Sequence, residues 1–523
     1  MTRTASRAAG MATWVRIRPL YDGIRTHVHP PAYGREVPGL QDLVVVANRL
    51  PVNAVTDDEG VTTWTRSPGG LVSSLEPILR DAEALWVGWS GRPARSTDSA
   101  DGDAASDEGA DQQPLPEALG ALTLDEVELT QDDIDSYYEG FSNSALWPLY
   151  HDGIAVPTYH RHQWDSYSDV NRRFAERVAE VAAPDSVVWV HDYQLQLVPR
   201  LLRALRPDVR IGFFLHIPFP PPELFRQLPW RSEILDGLLG ADLVGLQTSG
   251  DADNLFEAAV SYTHAVVDGR RLRVDDATLG QRLVEVDAFP ISIDTAEIDA
   301  IARTPQVHER AVEIRQSLGD PRTVLLGIDR LDYTKGIDVR INAVAELFAE
   351  GALSTDDTVF VQIATPSREN VDDYQRARDE IALMVGRAMG DHGMLGPQPI
   401  QYVHQPLERE HVVAFYLAAD VMLVTPYRDG MNLVAKEYVA ARYANDGALV
   451  LSEFAGAAEE LVDSFQVNPF DADGIKASIL EAVNAGPGDL QRRMTAMRAH
   501  LFEHDGTAWA HSFITRLAGE AVE

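Results

Sequence analysis

Two cations five residues apart, Arg330 and Lys335, stand in the run Asp329-Arg330-Leu331-Asp332-Tyr333-Thr334-Lys335-Gly336, directly after the apolar stretch Val324–Ile328. Positive charge fixed at the end of a buried strand suits the stabilisation of negative charge on a departing diphosphate. The alternative is a pair of solvated loop cations. Arg368 follows another apolar run in Ala364-Thr365-Pro366-Ser367-Arg368. Arg49, in Asn48-Arg49-Leu50-Pro51, is placed either to cap a sheet edge or to bind an anion. Ser67-Pro68-Gly69-Gly70-Leu71 and Pro426-Tyr427-Arg428-Asp429-Gly430-Met431-Asn432-Leu433-Val434 each lead into a helical pattern. A helix entered through glycine offers backbone N–H groups and the positive end of its dipole to a phosphate; for the first run a plain glycine turn is the alternative. Glu437 stands one or two turns into the second helix, set either to take both hydroxyls of a ribose or to be an exposed helix-face acid. Asp192 and His216 each follow an apolar run. Asp192 is able to accept a proton or hold a sugar hydroxyl and His216 to hydrogen-bond one; a helix cap or a satisfied loop residue is the competing role.

The elements that must carry these residues are short β-branched apolar runs separated by helical patterns. They are Leu43–Ala47, Leu85–Trp89, Val187–Val190, Ile211–Leu215, Leu243–Gln247, Val324–Ile328, Val359–Ile363, Val421–Thr425 and Leu449–Ser452. Continuous apolar strands alternating with helices predict an α/β fold with doubly wound parallel sheets, whose ligands lie beyond the carboxyl ends of the strands. The runs form two series joined near Phe289-Pro290-Ile291-Ser292. That predicts two Rossmann-like domains facing a central cleft, with one large domain carrying an insertion as the alternative. The expected boundaries are a flexible extension over 1–40, a first domain over 41–288, a second over 289–487, and helices over 488–523 that pack back across the domains. Residues 93–118, rich in Ser, Ala, Asp and Gly, read as a disordered acidic loop, with a regulatory role as the alternative.

Composition narrows the chemistry. The chain has 80 acidic against 45 basic residues, a formal net charge of −35, which argues against nucleic acid and anionic membranes as partners. Four cations at strand ends of so acidic a protein point to a site for two phosphorylated ligands. Cysteine is absent, which removes thiol catalysis, disulfides and Cys-based metal sites. No G-x-G-x-x-G follows the first strand and no P-loop spacing occurs, so neither a dinucleotide oxidoreductase nor an NTPase is expected. Asp101 and Asp103 lie in the acidic loop, and Asp251/Asp253 and Asp471/Asp473 stand where helices begin, so loop and N-cap roles account for them and no metal is expected. No run reaches the roughly 18–20 apolar residues of a membrane span. The Arg-rich first forty residues lack the apolar core of a secretory signal. A transit peptide, a flexible extension or a start-site artefact remain for them, and the expected location is cytoplasmic.

The segments VVVANRLPV, PGGL, WVGWSG, YYEGFSNSALWPLYH, HDYQLQLVP, IGFFLHIPFPP, DRLDYTKGID, ATPSRE and TPYRDGMNLVAKEY, in this order from about Leu43 onward, resemble the trehalose-6-phosphate synthase family, in its actinobacterial form. Residues 1–40 and the loop at 93–118 depart from the family pattern. The resemblance implies a two-domain GT-B fold and a metal-independent, cofactor-free glucosyltransferase that retains anomeric configuration. The donor would be UDP-, ADP- or GDP-glucose, the acceptor glucose 6-phosphate, and the chain a dimer or tetramer. By the same resemblance Arg49 and Arg368 grip the acceptor phosphate, Trp89, Tyr138 and Trp147 form a wall, and Asp192 lies beside the acceptor hydroxyl. Gly69 and Gly70 lie near the diphosphate, and Arg330 and Lys335 bind its oxygens. His216 and Asp429 contact the transferred glucose, and Gly430, Met431, Asn432, Leu433 and Val434 cradle phosphate and ribose, with Glu437 on the ribose hydroxyls. Arg330→Ala or Lys335→Ala is then expected to lower turnover by orders of magnitude with the fold intact. The alternatives are a sister transferase with another phosphorylated acceptor and a non-catalytic sugar-phosphate sensor.

Overall fold

The computed structural model describes residues 42–56, 62–67, 70–79, 84–94, 114–276, 280–368, 371–392 and 398–519. Two large sheets carry the fold. The first has a parallel core in the spatial order Gly280–Ala288, Leu243–Leu246, Arg210–Phe214, Val187–His191, Leu43–Arg49, Leu85–Trp89, Leu122–Glu126. Antiparallel strands extend both edges: Arg271–Asp276 and Val266–Asp268 on one side, Ala118–Leu119 on the other. The second sheet is wholly parallel, in the order Ile400–Val403, Thr358–Thr365, Thr323–Arg330, Val421–Val424, Ala448–Ser452, Phe465–Val467. Numbered along the chain, its strands run 3-2-1-4-5-6, and the parallel core of the first sheet follows the same order with a seventh strand added. Each sheet therefore has one place where successive connections leave in opposite directions, and a crevice opens there at the strand ends. In the first sheet this place lies between Leu43–Arg49 and Val187–His191, and in the second between Thr323–Arg330 and Val421–Val424. The chain is α/β, two doubly wound sheets in a GT-B arrangement.

The strands are continuous because both faces are covered: Leu43, Val44, Val45 and Val46 are all buried, as are Val324, Leu325 and Leu326. A small hairpin, Val52–Thr56 with Thr62–Arg66, hangs off the first strand. The last strand of the first sheet ends at Ala288, and the chain crosses to the second through Phe289–Ile293, which is buried except at Pro290. The return crossing lies against it, with the Gly506 N–H donating to the Ile293 carbonyl at 2.8 Å. Helix Pro487–Glu503 stays with the second sheet, against helices Leu433–Ala441 and Thr295–Ala302. Only Gly506–Ala518 packs on the first, against helix Gly70–Leu79 and strands Arg210–Phe214 and Leu243–Leu246. Phe513 stacks on Trp189 there, 4.6 Å between ring centres. It needs the space of two glycines, since a Cβ on Gly212 or Gly245 would come within 2.7 and 2.6 Å of its ring.

The core of the acidic loop, 95–113, and the extension over 1–40 lie outside the described residues. The flanks of the loop are structured: Pro93 bridges to Leu129, the Ala94 N–H donates to the Leu129 carbonyl at 2.7 Å, and Ala118 opens a strand. Leu115 and Leu119 supply the apolar anchorage that the polar composition of the segment conceals. Asp251 does not cap its helix. Thr248 is the cap, and Asp251 sits one turn in, buried, accepting from the Phe219 N–H at 3.0 Å and pairing with Arg428 at 3.1 Å. Asp471 does cap, accepting from the Gly474 N–H at 3.0 Å. No described helix is long and apolar enough to cross a membrane.

Candidate active site

Arg49 ends the first strand of the first sheet, and Asp192 follows the neighbouring strand across the switch point. The Arg49 guanidinium lies over the Trp89 ring at 4.9 Å and against the backbone of Gly91, where any side chain would collide with it. Tyr138 meets Trp89 edge-on at 6.0 Å. One Arg49 nitrogen reaches Asn53 at 3.4 Å, while its Nε is buried without a partner. Burial lowers its pKa. A half-buried guanidinium with spare donors suits an anion. Tyr138 lies within Ile134–Leu146, which winds as a π-helix, a form frequent at functional sites, and Trp147 directly follows it. Asp192 has a φ of 75° and accepts from the His216 N–H at 3.3 Å. Burial raises its carboxyl to about 6, against the pull of two backbone N–H groups, Arg368 and Arg330.

In the second domain Arg330 ends its strand exposed, and the chain turns at once to present Lys335. Asp332 caps that turn by accepting from the Thr334 N–H at 2.9 Å, and Gly336 completes it with a φ of 57°. No other residue fits at 336, since a Cβ would stand 2.0 Å from the Thr425 carbonyl oxygen. Beneath the turn, buried Arg340 pairs with Asp329 at 2.5 Å and donates to the carbonyls of Lys335 and Leu423 at 2.9 and 2.7 Å. The Lys335 loop is thereby tied to the strand across the switch point. Lys335 Nζ meets Asp429 at 2.6 Å, and Asn432 Nδ2 donates to the same carboxylate oxygen at 3.0 Å. Burial would raise the Asp429 carboxyl, but Lys335 and Asn432 outweigh it and hold it below its usual value. Asn432, at φ 81°, caps helix Leu433–Ala441 by accepting from the Ala435 N–H at 3.0 Å.

The two halves meet on Trp147. Arg368 lies 3.9 Å and Arg330 5.8 Å from its ring centre, so an aromatic side chain of the first domain stands beneath two cations of the second. Arg368 also donates to the Tyr193 hydroxyl at 2.9 Å and to Tyr374, with Asp332 at 3.9 Å. Gly430 packs on the carbonyl of His216 so closely that a Cβ would come within 2.4 Å. His216 itself meets a second histidine, His191, Nε2 to Nδ1 at 3.1 Å. Met431 is buried behind the Gly430 turn, and Leu433 and Val434 are half-buried.

Glu437 stands apart. It is half-buried and accepts from the Tyr416 hydroxyl at 2.9 Å, so it is not an exposed helix-face acid. Its neighbour Lys436 is fully buried, bound to Glu460 at 2.6 Å and to the carbonyl of Ile291 in the first crossing at 2.7 Å. Gly70 opens helix Gly70–Leu79, and Gly69 lies outside the described residues. Sequence reasoning passed over Tyr193, Tyr374, Asp332 and His151. His151 is buried, donates from Nδ1 to the Trp147 carbonyl at 2.8 Å, and lies within electrostatic reach of Asp332, Lys335 and Asp429. Burial lowers its pKa to about 4. Among these Tyr193 and Asp332 had a local signal, one directly after Asp192 and the other between Arg330 and Lys335. Among the described residues no three His, Asp or Glu side chains converge as metal ligands would.

The family model for glycosyltransferase family 20 matches residues 41–519. The chain belongs to glycosyltransferase family 20. This family 20 transferase is 54% identical over 481 residues to the trehalose-6-phosphate synthase of Mycolicibacterium gilvum, covering 91% of this chain and 93% of that one. Among solved structures it is similar to the UDP-forming alpha,alpha-trehalose-phosphate synthase of Burkholderia xenovorans in complex with glucose-6-phosphate, at 33% identity and a TM-score of 0.80, covering 91% and 100% of the two chains. It is equally similar to an E. coli trehalose-6-phosphate protein bound with UDP-2-fluoro glucose, at 33% identity and a TM-score of 0.80 over 92% and 99%. In this transferase Asp192, Arg368 and Asn432 all hold left-handed backbone angles, at φ 75°, 47° and 81°. Each costs about 1–3 kcal/mol, a strain that clusters where side chains must be aimed.

Proposed function

We propose that this family 20 transferase moves glucose from UDP-glucose to glucose 6-phosphate with retention of anomeric configuration, giving α,α-trehalose 6-phosphate and UDP. The observation that carries the reading is the placement of Trp147 beneath Arg330 and Arg368. An aromatic face beside two cations supports a wall for a sugar ring with one cation for a leaving diphosphate and one for an acceptor phosphate. A pyranose offers an apolar C–H face that an aromatic ring accommodates. The UDP-forming relative with bound glucose-6-phosphate and the relative bound with UDP-2-fluoro glucose support this choice of acceptor and nucleotide.

The residues favour a front-face displacement. A double displacement needs a carboxylate free to attack the anomeric carbon. Asp429 is already committed to Lys335 and Asn432. In the proposed step the bond from the anomeric carbon to the β-phosphate oxygen breaks as the acceptor oxygen bonds to the same face. The acceptor proton passes to the departing phosphate oxygen. Arg330 and Lys335 stabilise the charge left on the diphosphate, and Asp192 orients the acceptor hydroxyl. Holding the two substrates in contact supplies much of the acceleration, and no cofactor beyond them enters. Nucleotide release is to be measured with UDP-, ADP- and GDP-glucose, with and without glucose 6-phosphate. Release that requires glucose 6-phosphate, is fastest with UDP-glucose and yields a non-reducing α,α-linked disaccharide phosphate is expected. Release indifferent to glucose 6-phosphate overturns the reading.

A further inference from the structure

His191 is buried at the end of strand Val187–His191 and belongs to none of the roles described so far. Its Nδ1 faces His216 Nε2 at 3.1 Å, and its Nε2 is buried with no hydrogen-bond partner. Its ring packs on Trp189, 4.6 Å between ring centres, and Trp189 in turn stacks on Phe513. We infer that His191 is a positioning residue that dictates which proton His216 presents in the cleft. The inference rests on the reading that His216 touches the transferred glucose.

The argument is one of proton accounting. Two neutral imidazoles in contact share one hydrogen, so one ring donates and the other accepts. Burial keeps both rings neutral: it holds His191 well below its ordinary value and His216 at about 3. A buried N–H with no acceptor is a rarer thing than a buried acceptor with no donor. The orphaned Nε2 of His191 is therefore the bare nitrogen, and the His191 proton sits on Nδ1. That N–H donates to His216 Nε2, which leaves the His216 proton on its own Nδ1. His216 thus offers a donor, never an acceptor, to an oxygen of the sugar. Trp189, itself stacked on Phe513, packs against the His191 ring, so the assignment is set by buried neighbours before any substrate enters.

His191→Phe keeps the ring and removes the donor, whereas His191→Asn returns an N–H near the position of Nδ1. With kcat/KM for UDP-glucose as the readout, His191→Phe is expected to lose about tenfold, the worth of one aligned hydrogen bond. His191→Asn is expected to recover most of that loss. In a His216→Ala background His191→Phe should cost nothing further, because the pair acts as one unit. Ring 15N NMR of the parent protein should show His216 protonated at Nδ1 and bare at Nε2. Full activity in His191→Phe, independent losses in the double variant, or a proton on His216 Nε2 overturns the inference. A His216→Ala enzyme with parental kcat/KM would remove the glucose contact itself; an impaired one with independent losses removes only the coupling. If His191→Phe does not fold, the NMR assignment on the parent decides alone.

Discussion

Lys335→Met separates the electrostatics of the fold from those of the reaction. Lys335 and Asp429 meet at 2.6 Å with side chains only 10% and 12% exposed. Removing one partner of a buried pair leaves the other charge uncompensated, at a cost of about 3 kcal/mol, or about 6–12 °C in Tm for a domain of roughly 200 residues. The sign of the pH dependence follows from Asp429. In the parent, Lys335 holds its carboxyl below the ordinary value, so its contribution is present at neutral pH and lost as pH falls through that depressed value. In the variant, burial is opposed by Asn432 and His151 without Lys335 and raises the carboxyl relative to the parent, so the charged form destabilises at neutral pH and protonation relieves it. The Tm gap between parent and Lys335→Met should therefore be widest near pH 8 and narrow toward pH 5. Lys335→Met/Asp429→Asn should regain most of the lost Tm by removing the orphaned charge, yet stay inactive. Arg330→Met, at an exposed strand end, should keep the parental Tm and lose about 100- to 1,000-fold in turnover. Arg330→Met is thus expected to leave stability unchanged, and Lys335→Met to lower it with the fold retained. Differential scanning calorimetry across pH, beside initial rates, measures both effects. A Lys335→Met protein with parental Tm at pH 8, or a double variant no more stable than the single, refutes the reasoning.

Three further outcomes are expected. With its carboxyl raised to about 6, Asp192 should be ionised above that pH and protonated below it, so kcat/KM should fall below about pH 6. That limb should vanish from the residual activity of Asp192→Asn in a pH–rate profile. Arg49→Met and Arg368→Met should each raise the KM for glucose 6-phosphate by about 10- to 100-fold, one charge-assisted contact, and shrink its advantage over glucose in competition assays. Glu437→Gln should weaken UDP binding by about tenfold in isothermal titration and lose most of its discrimination against a 2′-deoxyribose donor. Equal discrimination in parent and variant would place the ribose elsewhere.

The parallel strands were legible because full burial writes them as unbroken apolar runs, and each of the nine expected runs lies on a strand. Gly280–Ala288 and Leu122–Glu126, each paired on both sides, escaped because their burial is broken along the strand, and the other strands that escaped are short or partly exposed. Val266, Val267 and Asp268 are all exposed, and Val52–Thr56 and Phe465–Val467 are short elements whose burial is uneven. The cations were legible for a related reason: a strand end is a fixed address in an α/β fold, and Arg49 and Arg330 end strands while Lys335 and Arg368 follow them closely. Tyr374 and His151 had no such address. Tyr374 reaches Arg368 from the first turn of helix Asp372–His392, and His151 caps the short helix Trp147–Tyr150, so neither follows an apolar run directly. Asp251 was misread because a carboxylate early in a helix fits a cap equally well, and only the arrival of Arg428 from the other domain distinguishes the roles.

The last helix, Gly506–Ala518, carries a consequence for how the protein is made. Its Phe513 and Trp509 cover Trp189 and Phe214, both in the first sheet. The strands that it covers have all been synthesised once Leu246 is made, but the cover arrives some 260 residues later. At ribosomal speeds of about 5–20 residues per second the first domain waits roughly 10–50 s with an aromatic face open to solvent. The chain cannot finish its first domain until it has nearly finished its second. A nascent chain stalled before Gly506 would present Trp189 and Phe214 to chaperones and to other nascent chains, and folding yield in the cell would depend on how quickly translation closes that interval.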